Sequence, residues 1–478
     1  MNVSARRELF RKRPSSSIYR LFALIVMILG GVWLIRQVDR GEIQPLFLPT
    51  PTPTRFAESY SLEGDAHFTA GKLDAAITAY QEAARVDPNN AQVWAQLARI
   101  QAYSSALLTT DPERLARLEE ALASADQAVA VAPDDSTVHA IRAFVLDWNA
   151  NPSLVGDKQA QAYLTEAEQE AVRALQLDNQ NTLALVFYAE ILVDQQKWPQ
   201  AEQNIIQAAE RGETLMDLHR VYAYVHESFG RYNQAIEEYD KAIALAPNLT
   251  FLHLRAGANY RRLAFDSPNE DNARALYEKS LEYFARAATI NEQLGVKDPI
   301  PYLSISKTYS QMGEFFIAAR NVLKALEYDQ ANADTYGQLG IVYFKSRNYE
   351  GSIPALKCAV RGCTPEESCE ARGGCGETEQ GVQITGLALS PNTVVYYYTY
   401  GSVLAALSRP QQNYCAEAMD VMAEVKAAYG SDADIAGIVS AAEAICADLG
   451  IGSLPPAATA VPSTLEPDMS DTTPTSTP

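Results

Sequence analysis

One spacing of small and large residues recurs along the chain, and it leaves few folds open. Counting back from Pro88, Ala83, Tyr80, Ala76, Gly71 and Gly64 fall five, eight, twelve, seventeen and twenty-four residues earlier. From Pro247 the same offsets meet Ala242, Tyr239, Ala235, Gly230 and Ala223. From Gln330 they meet Ala325, Val322, Ala318, Gly313 and Ser306, and weaker copies close at Pro133, Asn179, Glu213 and Glu292. Within each second helix the steps are three and four residues, which keep to one face. Each unit therefore reads as two antiparallel helices. Small residues let them approach, the aromatic fills the gap between them, and Pro ends the second. No single pair buries its own apolar face, so stacked neighbours must supply the core.

On these residues the chain resembles the tetratricopeptide repeat family. That family's unit of about thirty-four residues fits 57–90, 182–215, 216–249, 299–332 and 333–366. Trp94, Leu97, Tyr336, Leu339, Gly340 and Tyr343 fill its large-residue and Leu-Gly positions. The resemblance implies an all-α, right-handed α-solenoid of about nine helix pairs over 57–450. Val394 to Tyr429 forms the ninth pair, and a helix from Asp432 to Leu449 caps the open end. Ile435, Ile438, Val439, Ala442, Ile445 and Leu449 share one stripe of that cap. The second, third and sixth units carry extra residues around Asp111-Pro112, Asn151-Pro152 and Ser267-Pro268. Those signals predict longer helices or protruding loops.

The resemblance also implies a concave groove lined by the exposed face of each first helix. In register these residues are Phe68, Arg99, Tyr103, Phe144, Trp148, Tyr224, Arg261, Arg262, Lys307, Phe344 and Lys345, joined by Glu190 and Glu227. Aromatics mixed with both charges suit a protein or peptide partner. The late clustering of Arg261, Arg262, Lys307 and Lys345 suits an acidic segment. The Lys and Asn set with which the family clamps chaperone tails does not occur, so chaperone docking is disfavoured.

Charge sets the two ends apart. The first twenty residues carry six basic side chains against Glu8, whereas the whole chain is at −20. So acidic a body repels phosphate backbones, and nucleic acid is excluded as a partner. Residues 21–35 form an uncharged, mostly apolar run between Arg20 and Arg36, and 18–36 reads as a transmembrane signal-anchor helix. The basic segment 1–17 then stays in the cytoplasm and the bulk lies outside, making a single-pass cell-membrane protein. A cleaved signal peptide is the rival reading, but no small-x-small cleavage site follows the run. Residues 37–56, with Pro45, Pro49, Pro51 and Pro53, read as a semi-rigid Pro/Thr linker. Residues 451–478, rich in Pro, Ser and Thr, read as a disordered tail.

Six cysteines on the exported side read as disulfides. Cys415 opens the second helix of the ninth pair and Cys446 nears the end of the cap, so these two pair. Cys358, Cys363, Cys369 and Cys375 frame an insertion at 358–390 and leave three connectivities open. None forms the Cys-x-x-Cys pair that zinc prefers. His139, His219 and His253 occupy packing positions, where hydrogen bonding is expected. Ser304-Ile305-Ser306-Lys307 matches Ser-x-x-Lys, yet it falls inside a repeat helix without a Lys-Thr-Gly partner. No P-loop, Gly-x-Ser-x-Gly or His-Glu-x-x-His occurs. The reading is a non-enzymatic scaffold without cofactor or metal, serving envelope or appendage assembly. Two alternatives stand beside it: a regulatory or sensing subunit of a membrane enzyme or transporter, and a glycan- or metal-binding module built on the Cys insertion.

Overall fold

The helices touch where the offsets put small residues. Ala76, Ala83, Ala235, Ala242, Ala318 and Ala325 are fully buried, and Tyr80, Tyr239 and Val322 are buried between them. At the weaker copies Ala121, Ala128, Ala167, Ala174, Ala201, Ala208, Ser280 and Ala287 are fully buried as well. Gly64 shows why size matters: a Cβ there would stand 2.4 Å from the Tyr80 ring.

The structure is a computed structural model and describes residues 17–39, 55–212, 214–376 and 380–449. Residues 1–16 of the predicted basic terminus, 40–54 of the predicted Pro/Thr linker and the tail at 451–478 lie outside the described residues. Two units are separate, Met1–Phe56 and Ala57–Pro478. The first contains α1 (Ile18–Asp39), of which Ile18–Gln37 is long and apolar enough to cross a membrane. A helix of this kind serves as an anchor or as a signal sequence.

The second unit is helical throughout, with only two isolated β-bridges among the described residues. Its pairs are α2 (Ala57–Thr69) with α3 (Leu73–Val86), α4 (Ala91–Ser105) with α5 (Asp111–Val131), and α6 (Ser136–Asn149) with α8 (Asp157–Leu177). A short α7 (Pro152–Val155) lies between the last two. Next come α9 (Thr182–Asp194) with α10 (Trp198–Ala209), α11 (Met216–Ser228) with α12 (Tyr232–Leu245), and α13 (Thr250–Phe265) with α14 (Glu270–Leu294). The series closes with α15 (Ile300–Gln311) and α16 (Phe315–Tyr328), α17 (Ala333–Lys345) and α18 (Tyr349–Val360), and α20 (Val394–Leu407) and α21 (Cys415–Tyr429). Successive helices pack on one another from α2 onward, as an α-solenoid requires.

Capping explains the starts. Asn90, Asn181 and Asn332 precede α4, α9 and α17, and each side chain accepts from a backbone N–H in the first turn. The extra residues of the second, third and sixth units lengthen α5, α8 and α14. Thr110, with Pro112 in the first turn, caps α5, and Asn269 caps α14.

The turn between paired helices takes a left-handed residue, Gly313 at φ 79° in the seventh pair. Gln196 and Arg347 hold the same position at φ 60° and 63°. A side chain in that conformation is strained. Gln196→Gly and Arg347→Gly are each expected to stabilise the fold by about 0.5–1 kcal/mol, read as a higher urea midpoint.

The insertion folds onto the solenoid instead of standing free. α19 (Pro365–Ala371) follows α18, Cys363 bridges to Ile384, and Cys358, Cys363, Ala371 and Ile384 are buried. Disulfides join Cys358 to Cys363 and Cys369 to Cys375. Cys415 and Cys446 are joined across α21 and the capping helix α22 (Ala433–Asp448), with Cα atoms 5.5 Å apart. On α22, Val439 and Ala442 are buried and Ile435, Ile438 and Leu449 are packed against the core. Ile445 departs from the predicted stripe. It is 40% exposed, because it sits at the open edge of a shallow apolar cavity with Phe344, Tyr349 and Leu407.

Candidate binding surfaces

Residues four apart on a first helix point the same way. α4 presents Arg99 and Tyr103, α6 Phe144 and Trp148, α9 Glu190 and Asp194, α11 Arg220 and Tyr224, and α13 Phe251 and Arg255. Over the first six pairs these stripes meet across the superhelix. Arg99 and Tyr103 both donate to Asp217 of α11, which lies more than a hundred residues further along the chain. The Tyr103 ring stacks on Phe251 with centroids 5.4 Å apart and meets Trp148 edge-on at 5.2 Å. Arg220 grips Glu190 with both outer nitrogens at 2.6 Å and donates to the Tyr103 hydroxyl at 3.1 Å. Its guanidinium also covers the Phe144 ring at 5.6 Å. At one rim the Gly71 turn rests against the backbone of Asn248.

The charges in this knot hold one another ionised. Burial opposes a charge on Asp217, but Arg99 and Arg220 outweigh it and keep its carboxyl below the usual range. Burial likewise opposes Arg220, and Glu190 more than offsets it. Tyr103 is pushed upward, chiefly by burial, and stays neutral as a donor.

Of the residues predicted to line the groove, the structure brings Phe68, Arg99, Tyr103, Phe144 and Trp148 together. They pack on one another: Tyr103 and Phe144 are fully buried, and Arg99 lies over the Phe68 ring at 5.1 Å. Tyr224 stands beyond them and donates to Asp194 at 2.6 Å. The face they form is occupied by contacts within the chain. Asp147, Asp194 and Asp217 belong to this knot and escaped the sequence reading. Their one signal was acidity on the buried stripes of otherwise apolar first helices.

The last pairs differ. Arg261, Lys307 and Lys345 line one open cavity of about 540 Å³ with Leu303, Ile341 and Tyr396. Arg261 donates to the Ser304 carbonyl at 3.1 Å and lies over the Phe284 ring. Among the described residues none of the three cations has a carboxylate partner. Burial lowers the pKa of Arg261; burial and then repulsion from Arg261 lower that of Lys307. Arg262 turns away and pairs with Asp266 at 3.1 Å. Phe344 faces the apolar cavity beside α22.

The histidines serve packing. His139 meets Glu170 and the Pro133 carbonyl, His219 meets Glu238, and His253 meets the Pro247 carbonyl. Every cysteine is held in a disulfide, so no thiolate is free to ligate a metal.

Comparison with known proteins agrees with this architecture. A TPR repeat family profile matches residues 64–103, and a tetratricopeptide repeat profile matches 189–249. A monomeric mutant of IFIT1 with m7Gppp-AAAA superposes with a TM-score of 0.50 at 13% identity, covering 82% of this chain and 80% of that one. The APC/C hetero-tetramer Cut9–Hcn1 gives a TM-score of 0.48 at 13% identity, over 72% of this chain. This chain spans 55% of the length of the Cut9–Hcn1 chain that it matches. A thermophilic TPR protein of Thermus thermophilus gives 0.35 at 19% identity, covering 42% of this chain and 98% of that one. At such identities the likeness is one of fold alone. No curated protein sequence matches this chain.

Proposed function

We propose that this tetratricopeptide-repeat chain is a single-pass membrane scaffold. Its repeats stand outside the cell membrane and hold an acidic, extended protein segment along α13, α15, α17 and α20. Tetratricopeptide repeats commonly mediate protein–protein interaction, which supports the scaffold role. The apolar α1 and the basic residues before it support the anchor and its orientation. Cysteines at disulfide distance support an oxidising compartment.

One observation carries the choice of partner. Arg261, Lys307 and Lys345 converge on one open cavity with no carboxylate among them, in a chain whose net charge is −20. Three cations that have no carboxylate partner among the described residues, beside the apolar Leu303 and Ile341, fit a segment that carries carboxylates and aliphatic side chains. Its charge speeds encounter and rejects basic competitors. The inner face of the first six pairs, already filled by Tyr103, Arg220 and Phe251, takes no part in this reading.

Proximity crosslinking in native membranes, followed by mass spectrometry, tests it. Wild-type chain is expected to capture exported proteins with acidic segments. The triple variant Arg261→Glu, Lys307→Glu, Lys345→Glu is expected to lose that capture by about tenfold or more. An unchanged set of partners would sink the basic groove. Capture dominated by soluble cytoplasmic proteins would overturn the topology.

A further inference from the structure

Beside the packed knot lies a second cavity of about 540 Å³, within the range of small-molecule sites. α6 contributes Asp147 and Trp148, α9 contributes Glu190 and Asp194, and α13 contributes Phe251 and Arg255. Asp147 is 6% exposed, and its Oδ1 has no hydrogen-bond partner. A buried acceptor left unpaired costs about 1–3 kcal/mol, more when charged. The cations near it, Arg220 and Arg255, are already engaged with other carboxylates. Arg220 is committed to Glu190 through two bonds, and Arg255 pairs with Glu227 at 3.3 Å. The group facing Asp147 from α9 is Asp194, a carboxyl that accepts from Tyr224 at 2.6 Å and also lies within hydrogen-bonding reach of Asp147.

We propose that this cavity binds a small organic cation, an ammonium or guanidinium compound, between the Asp147 and Asp194 carboxyls and the faces of Trp148 and Phe251. The chemistry of the lining selects that class. Two adjoining carboxyls with a spare acceptor suit N–H donors, and aromatic walls suit the body of a cation. An anion would meet Asp147, Asp194 and Glu190 together. A bare metal ion would leave most of the volume empty, since its ligands must approach to about 2.0–2.6 Å.

Without a bound cation the carboxyl pair holds a proton that binding expels. Burial, then Asp194 and Glu190, pushes Asp147 well above the usual carboxylate range. Burial is also the largest cause raising Asp194 to about 6. The charged and titratable groups facing the pair are Glu190 from α9, Arg220 and Tyr224 from α11, Tyr239 from α12 and Arg255 from α13. Arg220 and Arg255 keep their charge throughout the acidic range, so the carboxyl pair itself sets the pH dependence. A cation requires both carboxylates ionised, so its affinity falls as the pH drops through the range in which the pair takes up a proton.

Isothermal titration of the full-length chain in detergent with agmatine, and separately with calcium chloride, tests the proposal. Agmatine is expected to bind near pH 7.5 and to weaken by about tenfold or more near pH 5. Asp147→Asn keeps the shape of the side chain and removes its charge, and Asp194→Asn does the same across the cavity. Each is expected to unfold at or above the wild-type temperature and to lose agmatine by about tenfold or more. Three results would overturn the proposal: no agmatine binding at about 1 mM to a folded wild-type chain, undiminished binding by both variants, or binding of calcium in its place. The groove variant at Arg261, Lys307 and Lys345 is expected to bind agmatine normally, so this test stands apart from that of the peptide groove.

Discussion

Arg220→Met is expected to cost about 3–5 kcal/mol of folding stability, the range for removing one partner of a buried ion pair. Arg220 and Glu190 are both buried, and they meet through two bonds of 2.6 Å. Methionine roughly matches the arginine stem in shape, so the loss is mainly of charge. Glu190 would then stand beside Asp147 and Asp194 with no cation against it. The hydroxyl of Tyr103 would also lose its donor from Arg220. Adding Glu190→Leu removes the stranded carboxylate, and the double variant is expected to recover most of the loss. Urea unfolding followed by the fluorescence of Trp148, whose ring lies 5.8 Å from the Arg220 guanidinium, reads both effects. A single variant within about 1 kcal/mol of wild type would mean that the pair is solvated and the knot open.

Removing the cap disulfide is the second large effect. Replacing Cys415 and Cys446 together by Ala is expected to cost about 3–4 kcal/mol, from the entropy of a loop whose ends are 31 positions apart in sequence. The loss falls on the end of the array, because α22 covers α20 and α21 there. A solenoid unfolds from an uncovered end, and Val439, Ala442, Val421 and Met422 are the buried residues that would open first. Hydrogen exchange is expected to quicken over 394–449 and to remain slow around α9 and α11. Uniform quickening along the chain would show that the end repeats do not open independently.

The repeat pattern reached the fold because its physics is local. Ala235 and Tyr239 pack on helices adjacent in sequence, so a fixed offset reports a fixed contact. The cap disulfide was legible for the same reason, since antiparallel neighbours bring Cys415 and Cys446 together. In the insertion, short turns select Cys358 with Cys363 and Cys369 with Cys375, and no periodicity carries that information. The longer α5, α8 and α14 were half legible: Asp111-Pro112 and Ser267-Pro268 announced turns or helix starts, whereas length alone allowed loops.

The inner face was the hard part. Register put Arg99, Tyr103, Phe144 and Trp148 on one exposed face, whereas in the structure they pack on one another. Whether such a face stays open depends on how tightly the superhelix winds, a sum of small rotations between pairs. Asp217, which closes it against Arg99, lies 118 residues away, and no local pattern links the two. Consecutive positions also mislead. Arg261 and Arg262 point about 100° apart on a helix, so only Arg261 reaches the groove. Lys345 and Phe344 part in the same way.

A double-mutant cycle between Arg99 and Asp217 measures this closure directly. In an open solenoid each repeat touches only its neighbours, and the two substitutions Arg99→Met and Asp217→Asn must be independent. The account predicts a coupling energy of about 1–3 kcal/mol in urea unfolding. Additivity to within about 0.5 kcal/mol would contradict it, leaving the inner face of the first six pairs open to a partner.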